Sequence, residues 1–355
     1  MDIGNAKDWK PRSGVERIHV IDAHTEGEPL RVIVDGFPQP KGATVLERRT
    51  YAKEHLDRYR TALMFEPRGH ADMYGCLIMP PVTDMADFSV LFLHNEGYST
   101  MCGHGILAVT RVVLETGIVE RQGEGGTDRR GRTEEIVRID TPAGLVTARA
   151  WCLDDRVEEV RFQNVASWAH ALDQTVDVPG IGNVAYDIAF GGAFYAYVDA
   201  QSLGLTLRPN HARVLIDVGM RIKRAVMESQ PLVHPESPDL AFLYGTIFTS
   251  PPEDPKHHAR NVCIFAEGEV DRSPTGTGVS GRAALMHARG TLDVGESVII
   301  ESILGTTFVV GIQYTKETGG RTAIIPEVGG RSFITGRSTL LLDPGDPLRD
   351  GFIIR

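Results

Sequence analysis

The same short pattern, X-Gly-X-Gly at the start of a helical segment, occurs once in each half of the chain. Cys102-Gly103-His104-Gly105 opens the first segment, and Thr275-Gly276-Thr277-Gly278 opens the second. After the first pattern, apolar side chains spaced by three and four from Ile106 to Leu114 predict one buried helical stripe. Two helix starts of one form suggest two related halves that face each other, each contributing one position to a shared site.

Short runs of β-branched and apolar residues, bounded by Gly, Pro and Asp, make up most of the remaining chain and predict strands. These strands are expected at 18–22, 30–34, 74–79, 88–94, 135–140 and 145–150, and again between 297 and 342. Helices are expected near 49–63, 106–114, 211–228 and 279–289. The sequence therefore predicts an α/β (α+β) fold, with 1–151 plus 338–355 as one domain and 152–337 as the other.

Composition and charge exclude several classes of protein. The 355 residues are 42% hydrophobic and 24% charged, which is typical of a globular protein. The net charge is −10 and no basic tract is present, so a nucleic-acid partner is not expected. No apolar run approaches the roughly 20 residues of a membrane span, and residues 1–17 lack a signal-peptide core, which favours a cytoplasmic location. The oligomeric state stays open, with a homodimer as one option.

The four cysteines do not form a metal or disulfide pattern. Cys76, Cys102, Cys152 and Cys263 are far apart and include no CxxC pair. Three of them lie inside apolar strand-like runs and are interpreted as small core residues. Cys102 differs because it begins a helix, where the dipole and unpaired N–H groups favour a thiolate. We therefore expect a lowered pKa at Cys102 and a role as base or nucleophile, with His104 close enough to shape the site electrostatically.

The second pattern permits two interpretations. The segment 271–278 is rich in Asp, Ser, Pro and Gly, which suits a simple turn and helix cap. It also suits a second anion-binding helix start aimed back at the first. The Thr275 hydroxyl is too weak an acid to become a base at neutral pH without an activating group. A site that joins Cys102 and Thr275 would thus hold one base and one hydroxyl.

These motifs resemble the proline racemase family. Met101–His104 is similar to its first catalytic motif, and Asp271–Gly278 to its second, with threonine where a racemase carries cysteine. Further similar blocks cover Arg68–Gly75 and Gly191–Tyr195, so the resemblance extends from about Ile18 to the C-terminus. The Cys/Thr pairing resembles the branch that dehydrates trans-3-hydroxy-L-proline, as do the segments 92–98 and 346–352.

The resemblance implies a fold, a substrate and a set of roles. The fold would be two curved sheets, each wrapped around a central helix as in diaminopimelate epimerase, with the site between them. Neither a cofactor nor a metal is implied, and a small-molecule substrate, trans-3-hydroxy-L-proline, is expected. Cys102 would accept the α-proton and Thr275 would face it. The remaining expected contacts are N–H groups of Gly103, His104, Gly276 and Thr277 for the carboxylate, Asp271 for the ring nitrogen, and Tyr74, Phe92 and Phe265 as lining aromatics.

Three other functions stay open at this stage. A proline racemase or 4-hydroxyproline 2-epimerase would need an acid on the second face of the α-carbon, which Thr275 does not supply. A non-catalytic amino-acid-binding protein would need no thiol at a helix start. A thiol hydrolase would require a histidine base oriented by Asn or Asp, and one of the other histidines could provide it.

Overall fold

The computed structural model of the chain describes residues 3–7, 9–229, 231–235 and 240–354. In this part the strands are β1 (Glu16–Thr25), β2 (Glu28–Asp35), β3 (Tyr74–Met79), β4 (Phe88–His94), β5 (Gly97–Ser99), β6 (Gly126–Thr127), β7 (Thr133–Thr141), β8 (Gly144–Leu153), β9 (Arg156–Gln163), β10 (Trp168–Val178), β11 (Gly182–Phe190), β12 (Phe194–Asp199), β13 (Leu243–Ser250), β14 (Ala259–Phe265), β15 (Glu269–Val270), β16 (Ser297–Glu301), β17 (Thr307–Thr318), β18 (Arg321–Gly330) and β19 (Ser332–Leu342). The helices are α1 (Val45–His55), α2 (Asp57–Met64), α3 (Gly103–Glu115), α4 (Ala212–Ser229) and α5 (Gly276–Ala288).

One order of strand pairings occurs twice along the chain. In the first half, β2 pairs in parallel with β3, and β4 pairs in parallel with β7. Strand β4 pairs antiparallel with both β3 and β5, and β7, β8 and β9 form an antiparallel meander. In the second half, β12, β13, β14, β15, β16, β17 and β18 repeat those relations in the same order. Both X-Gly-X-Gly helix starts follow the short strand of their set, β5 or β15. The duplication seen in the motifs is therefore also present in the topology.

One helix packs against each set of strands. Helix α3 packs on β1, β2, β8, β9 and β19, and α5 packs on β10, β11, β12, β17 and β18. Every residue from Gly103 to Leu114 in α3 is buried, as expected for a helix covered on all sides. The mixed α/β fold class is thus confirmed. Strand β18 pairs antiparallel with β9, so the two sets of strands are continuous along this edge.

Helix boundaries followed the sequence pattern with one clear exception. The helix predicted at 211–228 is α4, and the predicted helices at 106–114 and 279–289 begin earlier, at Gly103 and Gly276. The predicted helix at 49–63 is instead two helices, α1 and α2. Leu56 separates them, with φ −124° and ψ 7°, and its N–H still donates to the Ala52 carbonyl. No described helix is long and apolar enough to cross a membrane.

Candidate active site

Cys102 caps helix α3 through its side chain. Its backbone is extended, with φ −148° and ψ 110°, and its Sγ accepts a hydrogen bond from the Gly105 N–H at 3.3 Å. The Nδ1 atom of His104 lies 3.3 Å from the same sulfur. Cys102 is only 5% exposed. The thiol therefore takes the place that a Ser or Asp hydrogen-bond acceptor occupies in an ordinary N-cap.

Thr275 stands at the start of α5 in an unusual backbone conformation. Its φ is 68° and its ψ is 101°, a region that is strained for a β-branched residue. Its Oγ1 is buried beside the Cys263 thiol and makes no hydrogen bond of normal geometry to any described residue. Strain and an unsatisfied hydroxyl at one residue are typical of a position that is held for function rather than for stability.

The two helix starts touch through their glycines. A Cβ placed on Gly276 would lie 3.0 Å from the Gly103 Cα, and a Cβ on Gly103 would lie 3.0 Å from the Gly276 Cα. A side chain at either position would push the two backbones apart by a few tenths of an ångström, so glycine suits this close approach. The first N–H groups of a helix have no partner within the helix. Two sets of such groups, each at the positive end of a helix dipole, therefore point into one region and suit a carboxylate.

A cleft of about 1230 Å³ opens over the two helix starts. The predicted site residues that line it are Tyr74, Cys102, Gly103, His104, Phe265, Asp271, Thr275, Gly276 and Thr277. Phe92 is not among the lining residues. Its side chain is fully buried, and a Cβ on Gly105 would lie 2.6 Å from its Cε1. The Phe92 ring therefore supports the Cys102 turn from behind, which corrects its expected place in the pocket.

Burial reverses the expected acidity of the thiol. Burial raises the pKa of Cys102 well above its ordinary value, while hydrogen bonds from the Gly105 N–H and the Tyr74 hydroxyl oppose the shift. The expectation of a lowered pKa is therefore wrong, because burial removes the sulfur from water. Burial also lowers the pKa of His104 to about 4. His104 is thus neutral at pH 7 and does not supply a cation to the thiol.

Two carboxyl groups, those of Asp271 and Glu28, also line the cleft. Asp271 accepts a hydrogen bond from the Ser273 N–H at 2.7 Å, and Glu28 accepts one from the Arg272 N–H at 2.8 Å. Burial, together with the charge of Asp271, raises the pKa of Glu28 well above its usual range. No sequence pattern marks Glu28 as a site residue. An acidic pair here suits the positively charged ring nitrogen of an imino acid.

The block at Gly191–Tyr195 positions the second helix start. The Tyr195 hydroxyl and the Thr277 Oγ1 are hydrogen-bonded at 2.8 Å. A Cβ on Gly191 would lie 2.1 Å from the Thr277 carbonyl oxygen, so a side chain there would displace α5. Ser99 and Tyr244 also line the cleft, and neither was predicted. In the sequence each is only a single polar residue near the end of a strand, and such residues recur throughout the chain.

Comparison with known proteins identifies the family of this chain. Residues 20–353 match the family model described as proline racemase. The chain belongs to the proline racemase family. A Colwellia psychrerythraea protein named trans-3-hydroxy-L-proline dehydratase is 46% identical over 98% of this chain and 96% of its own. A Burkholderia multivorans protein named 3-hydroxyproline 2-epimerase is 43% identical over 95% and 98%. A crystal structure of an Agrobacterium vitis hydroxyproline epimerase with bound trans-4-hydroxy-L-proline is 34% identical, the match covers 97% of each chain, and the TM-score is 0.86.

Proposed function

We propose that this protein dehydrates trans-3-hydroxy-L-proline, with Cys102 as the base that removes the α-proton. The observation that carries the proposal is the pairing of Cys102 and Thr275 at two touching helix starts. One of these groups can become a base and the other cannot. Relatives of 42–46% identity that carry the dehydratase name support the same assignment.

The site is suited to stabilising a carbanion next to a carboxylate. The N–H groups at the starts of α3 and α5 would hold the substrate carboxylate, and charge that develops on it during proton removal would strengthen those contacts. Asp271 would hold the ring nitrogen. The ammonium that it binds brings a positive charge near Cys102, which favours the thiolate against the effect of burial.

Elimination requires a base on only one face of the ring. In trans-3-hydroxy-L-proline the hydroxyl is trans to the carboxylate, so the α-hydrogen and the hydroxyl share a face. Cys102 takes the α-proton and the C3–O bond breaks. Loss of water gives an enamine, which tautomerises to 1-pyrroline-2-carboxylate. Thr275 would position substrate or solvent on the opposite face.

Epimerisation is the competing function, because a relative of 43% identity carries an epimerase name. Inversion requires a proton donor on the face opposite Cys102. The Thr275 hydroxyl would occupy that position, and its unperturbed acidity is far below that of a thiol. The site therefore favours elimination over inversion.

The test compares three proteins with trans-3-hydroxy-L-proline as substrate. Cys102→Ser should lower the rate of pyrroline formation by about 100-fold or more, because a hydroxyl replaces the base. Cys152→Ala removes a buried thiol that does not line the cleft and should leave the rate close to that of the natural protein. Substantial dehydration by the Cys102→Ser protein would overturn the proposed mechanism.

A further inference from the structure

Beside Cys102 lie two hydroxyl groups, and removal of the α-proton does not require either of them. The Tyr74 Oη and the Ser99 Oγ are hydrogen-bonded to each other, and both residues line the cleft. They come from strands on opposite sides of β4, where Tyr74 pairs with His94 and Ser99 pairs with Phe92. The sheet itself therefore brings these hydroxyls together next to the helix start.

The Tyr74 ring is held on two sides and directed at the thiol. It stacks on His94 with ring centroids 5.4 Å apart, and it meets His104 edge-on at 4.8 Å. The Tyr74 hydroxyl also lies near enough to the Cys102 thiol for each group to affect the pKa of the other. Tyr74 is 5% exposed, so its hydroxyl is fixed by packing rather than by solvent. This is the geometry of a preorganised proton donor.

The leaving group of the proposed reaction needs such a donor. Hydroxide is a poor leaving group, and it departs readily only when it receives a proton as the C3–O bond breaks. The hydroxyl of trans-3-hydroxy-L-proline is on the face of the ring from which Cys102 takes the proton. A substrate placed for proton removal therefore turns its hydroxyl towards the side of the cleft that holds Tyr74 and Ser99.

We propose that Tyr74, oriented by Ser99, protonates the departing hydroxyl; this inference rests on the proposed dehydratase function. The Cys102 thiolate takes the α-proton, so that the C–H bond breaks and the S–H bond forms. The electron pair of the C–H bond forms the new C–C double bond, and the C3–O pair leaves on oxygen, which takes the Tyr74 proton. The tyrosinate then recovers a proton from the Cys102 thiol. Water is released and both side chains return to their starting states.

The weak acidity of Tyr74 means that its tyrosinate form would regain a proton quickly. Burial, followed by the charge of Cys102, raises the pKa of Tyr74 well above its ordinary value. A tyrosinate here would therefore be short-lived and would take the proton held by the neighbouring thiol. The pair recycles one proton between base and leaving group, which explains how the reaction proceeds without an acid at Thr275.

A substrate whose leaving group needs no proton tests the inference. In trans-3-fluoro-L-proline the C–F bond breaks to give fluoride, and no acid is required. Tyr74→Phe should lower kcat for trans-3-hydroxy-L-proline by about 100-fold or more, the usual contribution of a general acid. Fluoride release by the same protein should fall far less than dehydration, because Cys102 still removes the α-proton and loses only its interaction with Tyr74. Ser99→Ala should cause a smaller loss of kcat for the hydroxy substrate with little change in fluoride release.

Tyr59→Phe is the matched control. Tyr59 is a buried tyrosine outside the cleft whose hydroxyl donates to Glu16 at 2.6 Å, so its removal should change neither reaction. Full dehydration by Tyr74→Phe, or equal loss of dehydration and fluoride release, would overturn the inference while leaving the proposed function intact. Absence of dehydration by the natural protein would overturn both.

Discussion

The closest approach between the two helix starts allows a direct test of their role. A Cβ on Gly276 would lie 3.0 Å from the Gly103 Cα, whereas carbon atoms in ordinary contact are about 3.5–4.0 Å apart. Gly276→Ala must therefore move the two helix starts apart by a few tenths of an ångström. The obstacle is backbone, so no side chain can rotate away to relieve it. Overpacking of this kind usually costs about 1–3 kcal/mol of folding stability.

The same displacement should weaken catalysis. The N–H groups that would hold the carboxylate move with the helices, and a misplacement near 1 Å can cost about 100-fold in rate. Because the shift here is only a few tenths of an ångström, we expect kcat/KM for trans-3-hydroxy-L-proline to fall by about 10-fold, or about 1.4 kcal/mol. The assay measures pyrroline formation at several substrate concentrations, with thermal unfolding recorded for the same preparation.

Gly336→Ala is the control for a glycine that nothing crowds. No heavy atom lies within 4 Å of a Cβ at this position, and its φ is not in the positive region. This change should affect neither stability nor kcat/KM. A folded Gly276→Ala protein whose kcat/KM stays within about threefold of the natural value would refute the idea that both helix starts grip the substrate.

Three further predictions concern the second face, the thiol and the buried histidine. Thr275→Cys should add an acid opposite Cys102, so L-proline should gain α-deuterium with inversion, which chiral chromatography after incubation in deuterated water would detect. kcat/KM should rise with pH through about 8.5, because burial raises the pKa of Cys102 and only the thiolate accepts a proton; a flat profile from pH 7 upwards would contradict this. The fold should lose stability as the pH falls from about 6.5 towards 4, because the unfolded chain protonates His104 before the folded one, whose pKa is about 4. Urea unfolding at pH 7 and pH 5 measures this loss, which His104→Gln should reduce.

The parts of the fold that could be predicted are those in which local pattern and tertiary structure agree. Helix α4 has apolar positions on one face only, and its boundaries differ from the predicted ones by one residue. The starts of α3 and α5 carry glycines because two backbones meet there, which is why a local pattern marked a long-range contact. The break at Leu56 has no Gly or Pro, so it could not be predicted from the sequence.

The site, too, has residues that could be predicted from the sequence and residues that could not. Cys102 and Thr275 were predicted because each begins a helix in a distinctive motif. Glu28 and Ser99 were not, because each is one polar residue that only the strand arrangement brings to the cleft. The acidity of Cys102 was predicted in the wrong direction, because it depends on burial by strands from distant parts of the chain rather than on the helix start alone.

The most direct test of the central claim is proton NMR in deuterated water with three substrates incubated separately. The purified protein should consume trans-3-hydroxy-L-proline and produce the pyrroline, while L-proline and trans-4-hydroxy-L-proline keep their configuration. Inversion of either of these two compounds without elimination from the first would contradict the account, because it would mean that a second group supplies the proton that Thr275 cannot.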